Sequence, residues 1–474
     1  MSGPLVLILA AGMGTRMKSG RAKVLHEVAG KPMLAWAIDS ARDAGAQKVV
    51  AILGHQIDDV RKVLDERYGE GAIAIAHQRE QNGTGHAVQC GLTALENESD
   101  DGVVVVMSGD APLLTAERIA ELCKACAESK AKMALLSSIP ERPVAYGHLL
   151  RDGEGKLVRI VEHGDATEEE KAIEEVNVGF YAISLGALRR DIASLKSDNA
   201  QGELYLTDLA ANAYERGGAA VIPVQFQESS GVNDRVDLAA VTKAARRRLN
   251  EKWMRMGVTM HDPDSVYIDA DVVEIGQDTV IEPGVRIQGA SRIGLKTTLK
   301  AGAAIFNSQV GEGATIGASA SVENSRVGNH AIVEPFARVH SDSEVGESAT
   351  VGSFTEVRDS KILAEARVGQ LAYIGGASIG SNATIGAGAV TCDTDGARFA
   401  RTTVEANAFV GAGAKLVAPS TIGRDSYVGA GTVVTRDVSR GSLALSRVKQ
   451  VNVEGWGKRF RDALSRRSDS SPLD

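Results

Sequence analysis

The stretch EVGESATVGSFTEVRDSKILAEARVG, residues 344–369, carries a branched apolar residue at nearly every sixth position. The same spacing runs from Ile275 to Val434, and only residues 391–403 interrupt it. Six residues suffice for one short strand and one tight turn, but they are too few for a pair of helices. Three such units close one triangular coil, in which each branched side chain points inward and stacks on its counterpart in the next coil. The spacing therefore predicts a β-solenoid from which residues 391–403 protrude as a loop.

The chain before the solenoid alternates short apolar runs with helical patterns, which predicts an α/β domain with a largely parallel sheet. The predicted strands are Leu5–Leu9, Val49–Leu53, Ile73–Ala76 and Val103–Met107. The predicted helices cover residues 32–44, 57–67, 85–96 and 115–129. We expect four parts: a domain over 1–234, a linker helix over 235–256, the solenoid over 257–440, and a C-terminal arm over 441–474. A helix is expected within this arm at 454–464, and the tail from Ser465 is expected to be disordered.

Composition limits the classes of function that fit the chain. The formal net charge of −8 over 474 residues argues against a nucleic-acid-binding surface. The four cysteines indicate a reducing compartment, and no apolar stretch is long enough to span a bilayer. We therefore expect a cytoplasmic protein that binds neither nucleic acid nor membrane.

A glycine-containing loop follows the first predicted strand and reads LAAGMGTRM, residues 9–17. Glycine allows the backbone to approach a polyphosphate closely, with its N–H groups pointing at the anion. Met17 stands where a dinucleotide-binding fingerprint needs its third glycine, and the Gly-Lys-Ser/Thr ending of a P-loop is absent. Arg16 and Lys23 instead suit a triphosphate that loses pyrophosphate. The alternative is a solvated basic loop without a ligand.

Eight motifs in order make the sequence similar to a known family: LAAGMGTRM, AKVLHEVAGKPM, NGTGHAV, SGDAPL, VEHGDAT, EEVNVGFY, NAQGELYLTD and GVNDR. They resemble the N-acetylglucosamine-1-phosphate uridyltransferases, which in bacteria are typically fused to a hexapeptide-repeat glucosamine-1-phosphate acetyltransferase. The resemblance extends from about Leu5 to about Trp456. It implies a Rossmann-like α/β nucleotidyltransferase domain, a linker helix, a left-handed parallel β-helix and a homotrimer. It also implies UTP and N-acetylglucosamine 1-phosphate as substrates and Mg²⁺ as cofactor.

The resemblance also implies roles for individual residues. Arg16 and Lys23 would contact the phosphates as catalytic residues, and Asp110 and Asn233 would hold Mg²⁺. The other residues expected to bind the nucleotide or the sugar are Leu9, Ala10, Ala11, Gly12, Gln78, Gly83, Thr84, Ser108, Gly109, Gly147, Glu162 and Asn177. Within this set, Gln78, Gly83 and Thr84 would read uracil, and Gly147, Glu162 and Asn177 would bind the amino sugar.

Two positions depart from the family in this part of the chain. Ser108 stands where tyrosine usually precedes Gly-Asp, and His148 stands where arginine usually follows Tyr146-Gly147. Another nucleotide or another hexose 1-phosphate therefore stays open as substrate. The implied reaction is an in-line attack of the sugar-phosphate oxygen on the α-phosphorus of UTP, which gives UDP-N-acetylglucosamine and pyrophosphate.

The solenoid departs further from its family. Gln370 replaces the histidine that deprotonates the acceptor amine, and glutamine cannot accept a proton at neutral pH. Residues at the sugar-phosphate and coenzyme contacts also differ: His340, Arg358, Thr384, Asp393, Thr394 and Ala412. The retained positions are Tyr373, Ala387, Ala430 and Arg447. We expect a lost or altered acetyltransferase, with acetyl-CoA as a cofactor only if the second site is active. The alternatives are a fully bifunctional enzyme and a non-catalytic protein that binds nucleotide sugars.

Overall fold

The computed structural model describes residues 3–447 and 449–468. Its backbone contacts divide the chain into two compact units. The first comprises residues 3–256, 262–273 and 287–289. The second comprises 257–261, 274–286 and the described residues from 290 onward.

A seven-stranded sheet forms the centre of the first unit, and all its strands run in one direction except Val176–Ser184. In spatial order the strands are Ala220–Pro223, Met133–Ser138, Val176–Ser184, Val103–Ser108, Leu5–Ala10, Lys48–Leu53 and Ala74–His77. An antiparallel pair, His148–Arg151 and Leu157–Val161, joins the sheet beside Val176–Ser184. Glu27–Val28 and Lys31–Pro32 form a separate small hairpin. The largely parallel sheet predicted from the apolar runs is therefore present.

Helices cover both faces of this sheet, because buried apolar clusters lie on either side of it. The α-helices of the unit are Met33–Asp43, Ile57–Tyr68, Thr84–Leu92, Ala116–Glu128, Glu168–Lys171, Leu185–Ile192, Leu209–Glu215, Phe226–Ser229 and Arg235–Arg255. Short 3-10 turns occur at Thr15–Met17, Lys23–Leu25, Thr93–Leu95 and Leu206–Asp208. The predicted helix over 85–96 is thus an α-helix that ends at Leu92 and tightens into a 3-10 turn.

Three parallel sheets of two- and three-residue strands form the second unit, one sheet to each side of a triangular coil. The first side has Thr259–Met260, Val280–Ile281, Thr298–Leu299, Thr315–Ile316, Ile332–Val333, Thr350–Val351, Arg367–Val368, Thr384–Ile385, Phe409–Val410, Tyr427–Val428 and Leu443–Ala444. The second side includes Ala304–Phe306, Ser321–Glu323, Arg338–His340, Glu356–Arg358, Tyr373–Gly375, Val390–Cys392, Lys415–Val417 and Val433–Val434. The third side has Glu274–Ile275, Arg292–Ile293, Gln309–Val310, Arg326–Val327, Glu344–Val345, Lys361–Ile362, Ala377–Ile379, Thr402–Val404 and Ser420–Ile422. Among the described residues, the remaining strands are Tyr267–Ile268 and Arg286–Gln288.

The branched residues of the six-residue spacing fill the interior of the coils. All of them, from Ile275 to Val434, are at most 4% exposed. Register pairs place each on its counterpart one coil away, as in Val339 against Val357 and Val357 against Ile374. The solenoid predicted from the spacing is therefore confirmed.

A column of buried serines, which we call the serine ladder, follows the corner between the second and third sides. It comprises Ser291, Ser308, Ser325, Ser343 and Ser360. The hydroxyl of each accepts the backbone N–H one coil further on, at 2.9–3.2 Å. From Ser308 onward each hydroxyl also donates to a nearby carbonyl, as Ser343 does to His340 O at 2.6 Å. The ladder thus satisfies backbone amides that would otherwise be buried without a partner.

Two peripheral segments differ in length from the prediction. The expected loop at 391–403 is shorter, because Val390–Cys392 and Thr402–Val404 continue the sheets into both of its ends. The helix expected at 454–464 is Trp456–Ser468. Residues 465–468 are therefore helical and not disordered as expected, since the apolar stripe of Trp456, Phe460 and Leu464 continues a helical period. The rest of the predicted disordered tail lies outside the described residues. Within the described ranges, no helix is long and apolar enough to cross a membrane.

Candidate active site

A cleft of about 270 Å³ opens in the first unit where the strands Leu5–Ala10 and Val103–Ser108 end. Ligands of open α/β sheets bind beyond the carboxyl ends of parallel strands, which is where this cleft lies. The predicted site residues that line it are Leu9, Thr84, Ser108, Asp110, Gly147, Glu162, Asn177 and Asn233. One cleft therefore brings together residues that are up to 224 positions apart in the sequence.

At one end of the cleft, the two predicted metal ligands contact two cations that lie just outside its lining. Lys23 Nζ lies 2.5 Å from Asp110 Oδ2 and donates to Asn233 Oδ1 at 3.4 Å. Arg16 Nη2 donates to the same Asn233 oxygen at 3.0 Å. The second carboxylate oxygen of Asp110 accepts the Ser108 hydroxyl at 2.6 Å. The Lys23 and Asp110 side chains are only 13% and 20% exposed, so this ion pair is mostly shielded from solvent.

The donor set at this end fits a hard divalent cation. One carboxylate oxygen and one amide oxygen already converge on a single positive group, the Lys23 ammonium. Mg²⁺ prefers oxygen ligands and keeps several positions for water and substrate phosphates, so two protein oxygens are enough. Among the described residues no group of three or more His, Cys, Asp or Glu side chains could hold a metal ion. A magnesium site built here would therefore depend on ligands supplied by the substrate.

The opposite end of the cleft presents polar groups held in place by neighbours. Asn177 Nδ2 donates to the Tyr181 hydroxyl at 2.6 Å, and its backbone N–H donates to Gly147 O at 2.7 Å. The Thr207 hydroxyl donates to Glu162 Oε1 at 3.0 Å. Burial raises the pKa of the Glu162 carboxyl above its ordinary value. Glu162, Asn177 and Thr207 thus place carboxylate, amide and hydroxyl groups along the wall of the cleft.

The residues predicted to read the base lie near the helix Thr84–Leu92. Gln78 is buried, and its Nε2 donates to Gly83 O at 3.1 Å. Gly83 has a φ of 97°, and a Cβ there would lie 2.5 Å from Leu204 O, so only glycine fits. The Thr84 hydroxyl accepts Leu206 N at 3.1 Å. The side chain of Gln78 is thus oriented by the turn that opens this helix.

Some predicted residues do not line the cleft itself. Besides Arg16, Lys23, Gln78 and Gly83, they are Ala10, Ala11, Gly12 and Gly109. Ala11 and Gly12 follow the first strand directly, and Ala11 O accepts Gln81 Nε2 at 2.7 Å. Gly109 N donates to Leu9 O at 2.9 Å. The structure therefore uses the backbone of these residues to shape the loop between the strand and the cation end.

His148, a departure from the family, is buried behind the end of the cleft that is predicted to bind the sugar. Its Nδ1 bonds to Ile173 O at 2.8 Å and its Nε2 lies 3.1 Å from His163 Nδ1. Because His148 follows Gly147 and His163 follows Glu162, the pair joins the two segments that carry groups predicted to bind the sugar. His148 acts as internal support and does not line the cleft.

The predicted second site falls on two neighbouring regions of the solenoid. Gln370, Ala387, Ala412 and Ala430 occupy one corner in successive coils, where each carbonyl from Gln370 to Ala412 accepts an N–H from the next coil at 2.8–2.9 Å. The side that follows this corner carries His340, Arg358, Tyr373 and Asp393. Thr384 lies on the preceding side, Thr394 in the loop, and Arg447 is exposed beyond the last coil.

An internal ion pair occupies the predicted sugar-phosphate contact. Arg358 Nη2 lies 2.7 Å from Asp393 Oδ2, and the Asp393 side chain is only 5% exposed. The Phe399 ring covers the guanidinium, with its centroid 5.3 Å from Arg358 Cζ. His340 Nε2 lies 2.9 Å from Glu356 Oε1. The Arg358 guanidinium, which would face an acceptor phosphate, is therefore already paired with a carboxylate.

Comparison with known proteins assigns both units. Residues 6–182 match the MobA-like NTP transferase domain, and residues 401–436 and 364–391 match hexapeptide repeats of bacterial transferases and of succinyl-transferase. The bifunctional protein GlmU of Trichlorobacter lovleyi is 43% identical over 459 residues, which cover 96% of this chain and 98% of the relative. GlmU of Pelobacter propionicus is 42% identical over 97% of this chain and 99% of its own length, and GlmU of Geobacter sulfurreducens is 42% identical over 96% and 98%.

The chain belongs to the GlmU family. The resemblance predicted from the eight motifs is thereby confirmed, and so is the fold class, a Rossmann-like nucleotidyltransferase domain followed by a left-handed parallel β-helix of hexapeptide repeats. The predicted enzyme class, that of the UDP-N-acetylglucosamine diphosphorylases, is the class of this family.

Several residues that shape the cleft of this GlmU-family chain were absent from the prediction. Thr207 and Tyr181 hold Glu162 and Asn177, while Tyr146 and Gly231 add to the lining. A Cβ at Gly231 would lie 3.2 Å from Asp110 Oδ1, so this glycine leaves room beside the carboxylate. Three of these positions, Tyr181, Thr207 and Gly231, lie within the motifs EEVNVGFY, NAQGELYLTD and GVNDR, which is the signal that could have marked them.

Proposed function

We propose that the first unit transfers UMP from UTP to N-acetylglucosamine 1-phosphate and releases pyrophosphate in a Mg²⁺-dependent reaction. The observation that carries this proposal is the convergence of Lys23 and Arg16 with Asp110 and Asn233 at one end of the cleft. Cations beside oxygen ligands suit a triphosphate with its metal ion, and the polar groups at the other end suit a sugar.

The residues of the cleft would act by positioning and by charge neutralisation. The acceptor phosphate is already ionised, so its oxygen attacks the α-phosphorus of UTP without a general base. Arg16 and Lys23 stabilise the charge that builds on the transferring and departing phosphates. Asp110 and Asn233 would hold Mg²⁺, which neutralises phosphate charge when bound. Glu162 and Asn177 orient the sugar so that its phosphate lies in line.

Pyrophosphate release from UTP and N-acetylglucosamine 1-phosphate tests this proposal. The wild-type chain should release pyrophosphate with Mg²⁺ and none with excess chelator. Glucose 1-phosphate and other nucleoside triphosphates serve as competing substrates, because Ser108 and His148 depart from the family. A preference for another combination of nucleoside triphosphate and sugar phosphate would correct the proposed substrates. A chain that binds UDP-sugars without turnover would overturn the catalytic proposal.

We further propose that the acetyltransferase activity of the solenoid is lost or altered. Gln370 cannot serve as base, and an incoming phosphate would have to displace the buried Asp393 carboxylate from Arg358. Breaking such a pair leaves a shielded charge without its partner, which is costly. The pocket of about 390 Å³ beside it is lined by a second paired arginine, Arg401, which binds Asp359 through two contacts of 2.9 Å.

The position of His340 argues against its serving as a substitute base. Register pairs align His340 with Arg358 and Arg358 with Gly375, so His340 lies two coils before the level of Gln370. Neighbouring strands are about 4.8 Å apart, which gives a separation of about 10 Å along the solenoid. A proton acceptor must lie within hydrogen-bond reach of the amine.

Acetyl-CoA and glucosamine 1-phosphate test the second site through release of free thiol. No thiol above the uncatalysed rate supports the loss of activity. Thiol release only with a different amino sugar would support an altered acceptor. Release with glucosamine 1-phosphate at a rate comparable to pyrophosphate formation would favour the alternative, a fully bifunctional enzyme, in which Tyr373, Ala387, Ala430 and Arg447 would serve the coenzyme.

We also propose a homotrimer that assembles through the solenoid in the cytoplasm. Family resemblance supports the trimer, and so does a column of exposed apolar side chains at one corner: Phe336, Phe354 and Leu371 are 54%, 59% and 65% exposed. The Phe336 and Phe354 rings stack with their centroids 4.9 Å apart. Four cysteines without a disulfide support a reducing compartment. Light scattering measures the mass of the assembly and so the number of chains in it. Cell fractionation identifies the compartment that contains the protein.

A further inference from the structure

One guanidinium connects the two segments that carry the catalytic cations. Arg235 is the first residue of the helix Arg235–Arg255 and lies two positions after Asn233. Its Nε donates to Met17 O at 3.3 Å, and its Nη1 donates to His26 Nδ1 at 3.3 Å. Neither acceptor lines the cleft, so these contacts serve the protein and not a ligand directly.

The two residues that accept from Arg235, Met17 and His26, lie at the ends of the 3-10 turns that carry Arg16 and Lys23. The 3-10 turn Thr15–Met17 carries Arg16 and ends with Met17. The 3-10 turn Lys23–Leu25 begins with Lys23 and is closed by His26, whose N–H donates to Lys23 O at 3.2 Å. Such short turns have poor hydrogen-bond geometry and little stability of their own. Contact with Arg235 therefore fixes both turns to the segment that carries Asn233.

The His26 ring is held for this single contact. The residue is only 6% exposed, and its Nε2 has no partner among the described residues. Arginine can only donate, so Nδ1 must be the acceptor and the ring is neutral with its proton on Nε2. Burial first, and the Arg235 charge second, lower the pKa of His26, which keeps this form. The buried Nε2–H has no partner among the described residues, and such a group is costly. The polar interaction that this ring makes is therefore the contact between its Nδ1 and Arg235.

Independent contacts fix the segment on which Arg235 stands. Asn233 N donates to Asp237 Oδ2 at 2.9 Å, and Val232 N donates to Asp110 O at 2.9 Å. Asp234 caps the helix by accepting Val236 N at 2.8 Å. Arg235 therefore projects from a segment that these contacts hold in place beside the two predicted metal ligands, Asp110 and Asn233.

We propose that Arg235 and His26 are positioning residues of nucleotidyl transfer, which hold Arg16 and Lys23 at the distance from Asn233 and Asp110 that the triphosphate requires. This inference rests on the proposed function of the cleft. The sugar end depends on other elements, so the pair should govern the nucleotide and metal end alone. Supporting residues of this kind change activity by about 10- to 100-fold when removed.

Four variants of the full-length chain and one control test the inference. Arg235→Gln and His26→Leu remove the contact, while Arg235→Lys and His26→Asn keep a cation or a δ-position acceptor. Arg247→Gln on the exposed face of the same helix is the control, because among the described residues Arg247 forms ion pairs with Glu251 and Asp264 and with no residue of the cleft. For each protein we measure thermal unfolding, kcat, KM for both substrates, the Mg²⁺ concentration for half-maximal rate, and UTP binding by calorimetry.

Arg235→Gln and His26→Leu should lower kcat by about 10- to 100-fold, weaken UTP binding and raise the Mg²⁺ requirement, with the acceptor KM unchanged. Arg235→Lys and His26→Asn should recover part of the loss at equal thermal stability. Wild-type values in the first two variants, or a loss shared with Arg247→Gln, would overturn the inference. So would an acceptor KM that rises together with the UTP KM. A wild-type chain that releases no pyrophosphate would instead overturn the proposed function, and UTP calorimetry on the variants would still decide this inference.

Discussion

Replacing Lys23 with glutamine removes the cation that lies between the two predicted metal ligands. The Lys23 ammonium contacts Asp110 at 2.5 Å and Asn233 at 3.4 Å. Exposed ion pairs contribute about 0–1 kcal/mol, whereas breaking a fully buried pair costs about 3–5 kcal/mol. The pair here is 13% and 20% exposed, which places it between those limits. We expect the free energy of unfolding to fall by about 2 kcal/mol.

The effect of Lys23→Gln on activity should exceed its effect on stability. Removing one preorganised donor from a site of developing charge costs about 10²- to 10³-fold in rate. Arg16 still contacts Asn233 at 3.0 Å and retains one cation at the same end, so a loss near the lower limit is expected. The predicted decrease in kcat/KM for UTP is therefore about 100-fold, equivalent to about 2.7 kcal/mol.

A coupled pyrophosphate assay measures this decrease, at a temperature where unfolding curves show that the variant is fully folded. Lys23→Arg serves as the matched control, since it keeps the charge and should lose less activity. A kcat/KM for UTP within threefold of wild type in Lys23→Gln would refute the assignment of Lys23 to the phosphates. Equal losses of kcat/KM in Lys23→Gln and Lys23→Arg would show that the positive charge of this side chain does not determine the rate.

Four further outcomes are expected. Asp110→Asn should lower kcat at least about 100-fold, and added Mg²⁺ should not restore it, as a metal titration of the pyrophosphate assay will show. Burial raises the pKa of Glu162, so the folded chain holds the carboxyl proton more tightly than the unfolded chain does. The free energy of unfolding should therefore fall as the pH rises from the ordinary pKa through the raised one. Urea unfolding between pH 4 and 8 should show a smaller fall in the free energy of unfolding for Glu162→Gln than for wild type. Ser343→Ala removes the acceptor of Ser360 N and should cost about 1–3 kcal/mol in urea unfolding, whereas no change would show that the amide finds another partner. Gln370→His alone should yield no thiol from acetyl-CoA and glucosamine 1-phosphate, because the phosphate contact stays blocked.

The sequence predicted the solenoid well because its stability follows a local rule. Each inward residue, such as Val351, contacts its counterpart one coil away, and that contact depends only on the six-residue spacing. The strands of the first unit were predictable for a related reason. Leu5–Ala10 and Val103–Ser108 are buried along nearly their whole length and read as continuous apolar runs.

The contacts within the two sites could not be read from spacing. Lys23 and Asp110 were each predicted from motifs, but their ion pair joins positions 87 residues apart and depends on the packing of the sheet. The pairing of Arg358 with Asp393 was also missed, since the two residues are 35 positions apart and lie on different coils. Side-chain partners chosen by tertiary packing leave no periodic signal in the chain.

The serine ladder has a consequence for how the length of the solenoid can change. Seventeen residues separate Ser308 from Ser325 and eighteen separate Ser325 from Ser343, and each step ends on a buried amide that needs the preceding hydroxyl. Deleting two or three residues would move one amide away from its acceptor, whereas excising residues 309–325 as a block would join two matching rungs and leave none unpaired. The length of this solenoid is therefore counted in whole turns, and a shorter or longer version should differ from it by integral multiples of one coil.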